Sequence, residues 1–155
     1  MFELTFRPNF ELITIVRRFV SDFYDQMLND ADAVSRVALA THELLENAVK
    51  YSSDGATSLS IRVDHEGAQS VVSIRISNRA TRENLEAVSA MFAEMDRSPD
   101  PFQHYQAVME RVAKRKEGSG LGLVRVRAEG EMTMSHTIND DCVCIIAQTH
   151  VGRSS

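Results

Sequence analysis

Two stretches near the middle of the chain, residues 58–64 and 72–77, alternate apolar and polar residues. Successive side chains of a β-strand point to opposite faces, so each stretch predicts a strand with one buried and one wet face. Residues 65–69 between them contain Gly67, which tolerates a positive φ, and are predicted to form the hairpin loop. An antiparallel sheet with one wet face is covered by helices only on the other face. The apolar positions are Leu59, Ile61, Val63, Val72, Ile74 and Ile76.

Helical periodicity dominates the segments on either side of this hairpin. Apolar residues recur at helical spacing over about residues 10–29 and again over about 30–51. The chain turns helical again after Asn78, and Pro99 and Pro101 interrupt that pattern. One more helix is predicted near residues 102–115. These segments would cover the inner face of the sheet.

The ends of the chain supply the remaining strands. Residues 2–6 alternate and are predicted to form a short edge strand, while residues 131–137 and 142–149 predict a strand pair joined by a turn. Residues 151–155 are expected to fray. The predicted fold is a two-layer α/β (α+β) sandwich, with a mixed, mostly antiparallel sheet of four or five strands and helices on one face. At 155 residues, a single domain spanning 1–155 is expected.

Charge and composition exclude several function classes. The net charge of -5 argues against a nucleic-acid partner, because contact with many phosphates needs clustered Lys and Arg. There is no apolar run of 18 residues and no signal-peptide pattern, so we expect no membrane segment and a cytoplasmic location. Cys142 and Cys144 lie two apart in a predicted strand and point the same way, which suits two reduced thiols better than a disulfide. A structural zinc site is not expected.

A polar row interrupts the second predicted helix. Glu43 and Asn47 lie one turn apart on the same side, and Lys50 follows within reach of that side. A carboxylate beside an amide oxygen suits Mg²⁺ shared with substrate phosphates, and Glu43 could instead orient or deprotonate a water. The alternative is that these residues form the wet face of an amphipathic helix and have no further function.

The glycine-rich stretch of the chain is Gly118-Ser119-Gly120-Leu121-Gly122. Glycines at every second position let backbone amides approach an anion closely, and a helix beginning at Leu121 would point its N-terminal amides at phosphate. The alternative is a flexible turn between two helices.

Taken together in this order, the Glu-x-x-x-Asn helix, the hairpin, the helical insertion, the Gly-x-Gly-x-Gly stretch and the terminal strands resemble the GHKL ATPase family. The resemblance covers about residues 9–149 and is nearest to the bacterial anti-sigma-factor serine kinases. It implies ATP and Mg²⁺ as cofactors, Glu43 as the catalytic carboxylate, Asn47 as the magnesium ligand and Lys50 near the phosphates. It further implies a mobile ATP lid over about residues 83–117. The phosphate-facing loop that it implies consists of Gly118, Ser119, Gly120, Leu121 and Gly122.

One family motif is altered. Where the family usually carries Asp-x-Gly-x-Gly, which binds adenine, this chain has Asn78-Arg-Ala-Thr-Arg82. Asn78 keeps an acceptor oxygen for the adenine amino group but loses the charge. Ala80 and Arg82 add side chains where the family has glycines, and Arg82 would place a long arm where the base enters. In the alternative, Arg82 points to solvent and the turn is rebuilt around it.

Two functions therefore compete. The first is an ATP-dependent regulator that resembles the anti-sigma serine kinases and phosphorylates a small regulatory protein, a sigma factor or an anti-sigma antagonist. The second is a degenerate module of the same fold that binds its partner without nucleotide turnover. Related proteins often dimerise through the first helix or a terminal strand, so the resemblance leaves a homodimer open.

Overall fold

The computed structural model describes residues 2–6, 10–53, 56–115 and 121–152 of the chain. Its elements, in chain order, are β1 (Phe2–Phe6), α1 (Phe10–Met27), α2 (Ala31–Tyr51), β2 (Thr57–Glu66), β3 (Gln69–Arg79), α3 (Arg82–Asp96), α4 (Pro101–Arg115), α5 (Leu121–Ala128), β4 (Thr133–Asn139) and β5 (Cys142–Gly152). The predicted α/β sandwich is confirmed. Each predicted helix and strand is present, with bounds that differ by a few residues.

The sheet has five strands in the order β1-β2-β3-β5-β4. Each of the four pairings between these described strands is antiparallel, so the parallel component of the predicted mixed sheet does not form. The reason lies in the order of the strands. β4 runs in the same direction as β3 but lies outside β5, and β5 separates the two.

The ladder between β2 and β3 is longer than the sequence indicated. His65 pairs with Ser70 and Glu66 with Gln69, so the predicted loop over residues 65–69 shrinks to a tight turn. Gly67 has a φ of 60° in this turn. This backbone conformation allows a two-residue connection, so the two strands can stay paired as far as the turn.

The extended β3 also offers pairing partners to the end of β5. Val151 pairs with Ser70 and Gly152 with Gln69, and Val151 is 3% exposed. The prediction that fraying begins at residue 151 was therefore wrong, because these two residues belong to the sheet. Residues 153–155 lie outside the described part of the chain.

The core lies between the inner face of the sheet and the helices. α2 begins at the N-cap Asp30, whose carboxylate accepts hydrogen bonds from the amides of Asp32 and Ala33 at 3.0 and 3.2 Å. Leu44 and Leu45 of this helix are fully buried. α2 thus packs on the core through its apolar face, and the polar residues Glu43 and Asn47 lie along the side of the helix.

The segment that the resemblance assigns to a lid is described as far as residue 115 and forms α3 and α4. Val88 and Phe92 of α3 are buried in the common core, as is Val108 of α4. Between the two helices, Glu94 Oε1 lies 3.2 Å from Nε2 of the buried His104. Helical packing thus fixes much of this segment to the domain, and its role as a mobile lid stays a prediction.

Two smaller expectations concern the cysteines and the membrane. Cys142 and Cys144 are both free and lie half-buried at alternate positions of β5, so they face the same side of the sheet. Among the helices of the described ranges, none combines the length and apolarity that a bilayer crossing requires.

Candidate functional site

A cavity of about 270 Å³ opens between the second half of α2 and the start of α5. The structure brings five of the predicted site residues together here, and it adds three that the sequence did not single out. The lining residues are Glu43, Glu46, Asn47, Lys50, Tyr51, Leu121, Gly122 and Arg125. The polar side of α2 therefore faces a cavity.

The carboxylate of Glu43 lies at the contact between the two helices. Its side chain is 12% exposed, and its Oε1 accepts a hydrogen bond from Arg125 Nη1 at 3.2 Å. Its Oε2 would lie 2.9 Å from a Cβ at Gly122. The absence of a side chain at Gly122 is thus what lets α5 pass so close to the carboxylate.

Burial raises the pKa of Glu43 above its ordinary value, because leaving water disfavours the charged form. The positive charge of Arg125 opposes this rise, while the nearby Glu46 adds to it. A carboxylate with a raised pKa binds a proton more readily than an ordinary one. Glu43 is accordingly a stronger base than an ordinary carboxylate.

Arg125 is a site residue that sequence reasoning missed. Its guanidinium donates to Glu43 and, through Nε, to Glu129 Oε2 at 3.2 Å. Arg125 lies four residues after Leu121, so both fall on the side of α5 that faces α2. That spacing is the signal that could have identified it, provided that the contact between α2 and α5 had been known.

Lys50 and Tyr51 form the end of the cavity at the last turn of α2. The Lys50 ammonium lies 5.5 Å from the centroid of the Tyr51 ring. The Tyr51 hydroxyl is buried and has no hydrogen-bond partner among the described residues, and burial raises its pKa. An unpaired buried hydroxyl costs free energy, so a bound polar group that reached it would be favoured.

Asn78 does not line this cavity. It is 7% exposed at the end of β3, and its amide nitrogen donates to the carbonyl of Arg79 at 3.0 Å. The neighbouring Ala80 is 3% exposed, and its backbone amide donates to Asp141 O at 2.8 Å. The residues to which the resemblance assigns adenine binding are thus tied into the sheet and the β4–β5 turn.

Arg82 points to solvent. Its side chain is 93% exposed at the start of α3, where Nε lies 3.5 Å from Glu86 Oε1. The expectation that this side chain reaches into the site was therefore wrong, and the alternative that it points to solvent is confirmed. The reason is that Thr81 caps α3 by accepting from the amide of Asn84, which starts the helix at Arg82 and directs its side chain outward. That the turn is rebuilt around it stays a prediction.

Part of the predicted phosphate loop lies outside the described residues, namely Gly118, Ser119 and Gly120. The described part begins with Leu121 and Gly122, the first two residues of α5. As expected from the sequence, a helix starts there, and its N-terminal end opens on the cavity beside Glu43.

No group of three or more His, Cys, Asp or Glu within the described ranges could hold a metal ion. A metal held entirely by such side chains therefore has no site in that part of the chain. Asn47 and Glu43 line one cavity, and this donor pair suits a cation that keeps waters and shares oxygens with a phosphate ligand.

Comparison with known proteins gives a family match and a fold match. Residues 6–129 match the family model of the histidine kinase-like ATPase domain. No curated protein matches the chain. A chain in the crystal structure of the SiaB-SiaC complex from Pseudomonas aeruginosa is similar, with a TM-score of 0.67, 15% identity, and coverage of 97% of this chain and 90% of that one. The nucleotide-free catalytic domain of the histidine kinase ThkA gives a TM-score of 0.41 at 18% identity, over 99% and 97% of the two chains.

Proposed function

Because the chain belongs to the family of histidine kinase-like ATPase domains, we propose that the cavity between α2 and α5 binds the phosphates of Mg·ATP. The protein would act in the cytoplasm as an anti-sigma-type serine/threonine kinase on a small regulatory protein. The observation that carries this proposal is the position of Glu43, a carboxylate with a raised pKa held directly against Gly122 at the start of a helix.

The lining of the cavity supports binding of phosphate and magnesium. Lys50 and Arg125 provide positive charge, and the Tyr51 hydroxyl is a donor without a partner among the described residues. The space left by Gly122 would be filled by any side chain. At about 270 Å³ the cavity is at the small end of ligand sites, which suits phosphates and a metal rather than a whole nucleotide.

In this proposal Asn47 would hold the magnesium ion, which when bound would offset phosphate charge. Glu43 would accept the proton of a serine or threonine hydroxyl on the partner. The hydroxyl oxygen bonds to the γ-phosphorus as the bond from that phosphorus to the ADP oxygen breaks. Lys50 and Arg125 would hold the transferred group by charge.

Nucleotide binding is tested by calorimetric titration with a non-hydrolysable ATP analogue and Mg²⁺. We expect heat of binding and a raised melting temperature, since a ligand that binds only the folded state stabilises it. Asn47→Ala should remove the magnesium dependence of binding, while Asn139→Ala, on the exposed strand β4, should not. Absence of heat and of thermal stabilisation at millimolar nucleotide would refute the proposal.

Catalysis needs its own test, by intact mass of a small protein co-purified with the chain after incubation with ATP. Glu43→Gln should abolish phosphate incorporation while nucleotide binding remains. Glu46→Gln is the matched control, because Glu46 lines the same cavity but is half exposed and pairs with His42. Equal incorporation by both variants would contradict the role of Glu43 as base.

A second candidate is a non-catalytic module that binds a protein partner without turnover. The buried Ala80 and the engagement of the Asn78 amide with its own backbone favour it, because both residues belong to the altered adenine motif. The likeness to a chain of a two-protein complex supports a small protein partner under either candidate. Partner binding that is identical with and without nucleotide would decide for this second candidate. A homodimer is a separate question, and the mass of the protein in solution tests it.

A further inference from the structure

A second and larger cavity, of about 540 Å³, lies on the other side of α5 between α3, α4 and β4. It shares no lining residue with the cavity beside Glu43. Its walls carry three methionines and two phenylalanines, and we call it the methionine groove. The lining residues are Phe92, Met95, Asp96, Pro101, Phe102, Arg127, Ala128, Glu131, Met132, Thr133 and Met134.

The groove contains a cation, Arg127, for which the described part of the chain supplies no carboxylate partner. Arg127 donates through Nη2 to the carbonyl of Ser98 at 2.7 Å, but no described carboxylate forms an ion pair with it. Its Nη1 is shielded from water and has no hydrogen-bond partner among the described residues. The guanidinium also lines the groove, so an acceptor oxygen there would meet a cation whose charge no described carboxylate offsets.

The two acidic residues of the groove do not meet this need. The side chain of Glu131 is 62% exposed, and Oε2 pairs with Arg36 Nη1 at 2.7 Å. Asp96 is exposed at the end of α3. These rim charges disfavour anions with several charges, while the single guanidinium, whose Nη2 already donates to Ser98 O, suits one carboxylate.

The apolar walls determine the rest of the ligand. Met95 and Met132 are buried, whereas Phe102 is 59% exposed. Methionine side chains are flexible and adapt to ligands of irregular shape. The volume of the groove falls within the range of small-molecule sites.

We propose that the methionine groove binds a small amphipathic carboxylate, with its carboxylate on Arg127 and its aliphatic chain among the methionines and Phe102. This site is separate from the proposed nucleotide site and does not depend on it. It adds a second ligand to the domain, held between α5 and the two helices α3 and α4.

The test uses protein labelled at the methionine methyl groups with ¹³C, titrated with octanoate, octan-1-ol and octylammonium. We expect octanoate to shift the methyl signals of Met95, Met132 and Met134. The signals of Met27 and Met109, which lie outside the groove, should stay in place. Octanol should bind at least about tenfold more weakly than octanoate, because it cannot form a charge-assisted pair with Arg127.

Two variants separate the charge from the apolar wall. Arg127→Gln should lower the affinity for octanoate to that for octanol without changing octanol binding, and Phe102→Ala should weaken both. Equal affinity of the wild-type protein for octanoate and octanol would overturn the proposal, as would equal shifts of all five methyl signals. If Arg127→Gln does not fold, the wild-type protein decides by itself. A preference for octanoate over both octan-1-ol and octylammonium supports the proposal, and the lack of that preference overturns it.

Discussion

Gly122 makes room for the carboxylate of Glu43, since a Cβ at position 122 would lie 2.9 Å from Glu43 Oε2. This is closer than carbon and oxygen atoms pack, and the carboxylate is the mobile partner of the contact. The position of the proposed base therefore depends on a residue of another helix that has no side chain.

Gly122→Ala should displace the Glu43 carboxylate and weaken its hydrogen bond with Arg125. The variant should still fold, because alanine favours the helix by up to about 1 kcal/mol relative to glycine. We expect a loss of nucleotide turnover at nearly unchanged stability, measured by urea denaturation beside the activity assay. Gly152→Ala is the control, since a Cβ there has nothing within 4 Å. Full activity of Gly122→Ala would contradict the proposed importance of this contact.

Glu43 should also affect the pH dependence of stability. The pKa of folded Glu43 lies above the ordinary value of 4.5, so the folded state holds this proton to higher pH than the unfolded state does. The stability that the folded state gains by holding this proton is lost as the pH rises through the window above 4.5. Gln stays neutral at both pH values. The free energy of unfolding of Glu43→Gln minus that of wild type should therefore be larger at pH 7 than at pH 4.

The measurement is urea denaturation of both proteins at the two pH values. Glu46→Gln serves as the comparison, because that side chain is half exposed at the rim of the same cavity. If Glu43→Gln and wild type differ in free energy of unfolding by the same amount at both pH values, burial does not shift the ionisation of Glu43.

The sequence predicted this site only in part, for a physical reason. Glu43 and Asn47 lie on one helix, where the spacing of four residues alone places them side by side. Arg125 joins them only through the packing of α5 on α2, a contact between residues 82 positions apart. Tertiary contacts of this kind leave no periodic pattern in the sequence.

The same distinction explains the predictions that were wrong. The alternation of residues in β2 and β3 fixed their inner face, but the length of the ladder depends on the backbone of Gly67 and on pairing with β5. The direction of Arg82 depends on where Thr81 caps α3. Each of these features is decided by hydrogen bonds that hydrophobic patterns do not record.

Phe92 tests how firmly the predicted lid segment belongs to the core. The residue is 4% exposed in α3, and its ring stacks on His136 of β4 with the centroids 4.3 Å apart. Phe92→Ala should lower the free energy of unfolding by about 3–5 kcal/mol. Phe102→Ala on the exposed side of α4 is the matched control and should change it by only about 0.5 kcal/mol. If α3 were a detachable lid, chemical denaturation would find both variants nearly as stable as wild type.

Arg82 provides the last prediction, about the adenine end of the site. Because its side chain is 93% exposed and pairs with Glu86, its removal opens no space for a base. Arg82→Gly should therefore leave the affinity for the ATP analogue unchanged, at a cost in stability of at most about 1 kcal/mol from the helix. Glu86→Ala breaks the same ion pair and controls for that loss. Ala80→Gly removes a buried methyl group beside Asn78, so a rise in calorimetric affinity there, and not at Arg82→Gly, would assign the obstruction to Ala80. A rise with Arg82→Gly would instead mean that the arginine folds back over the site in solution.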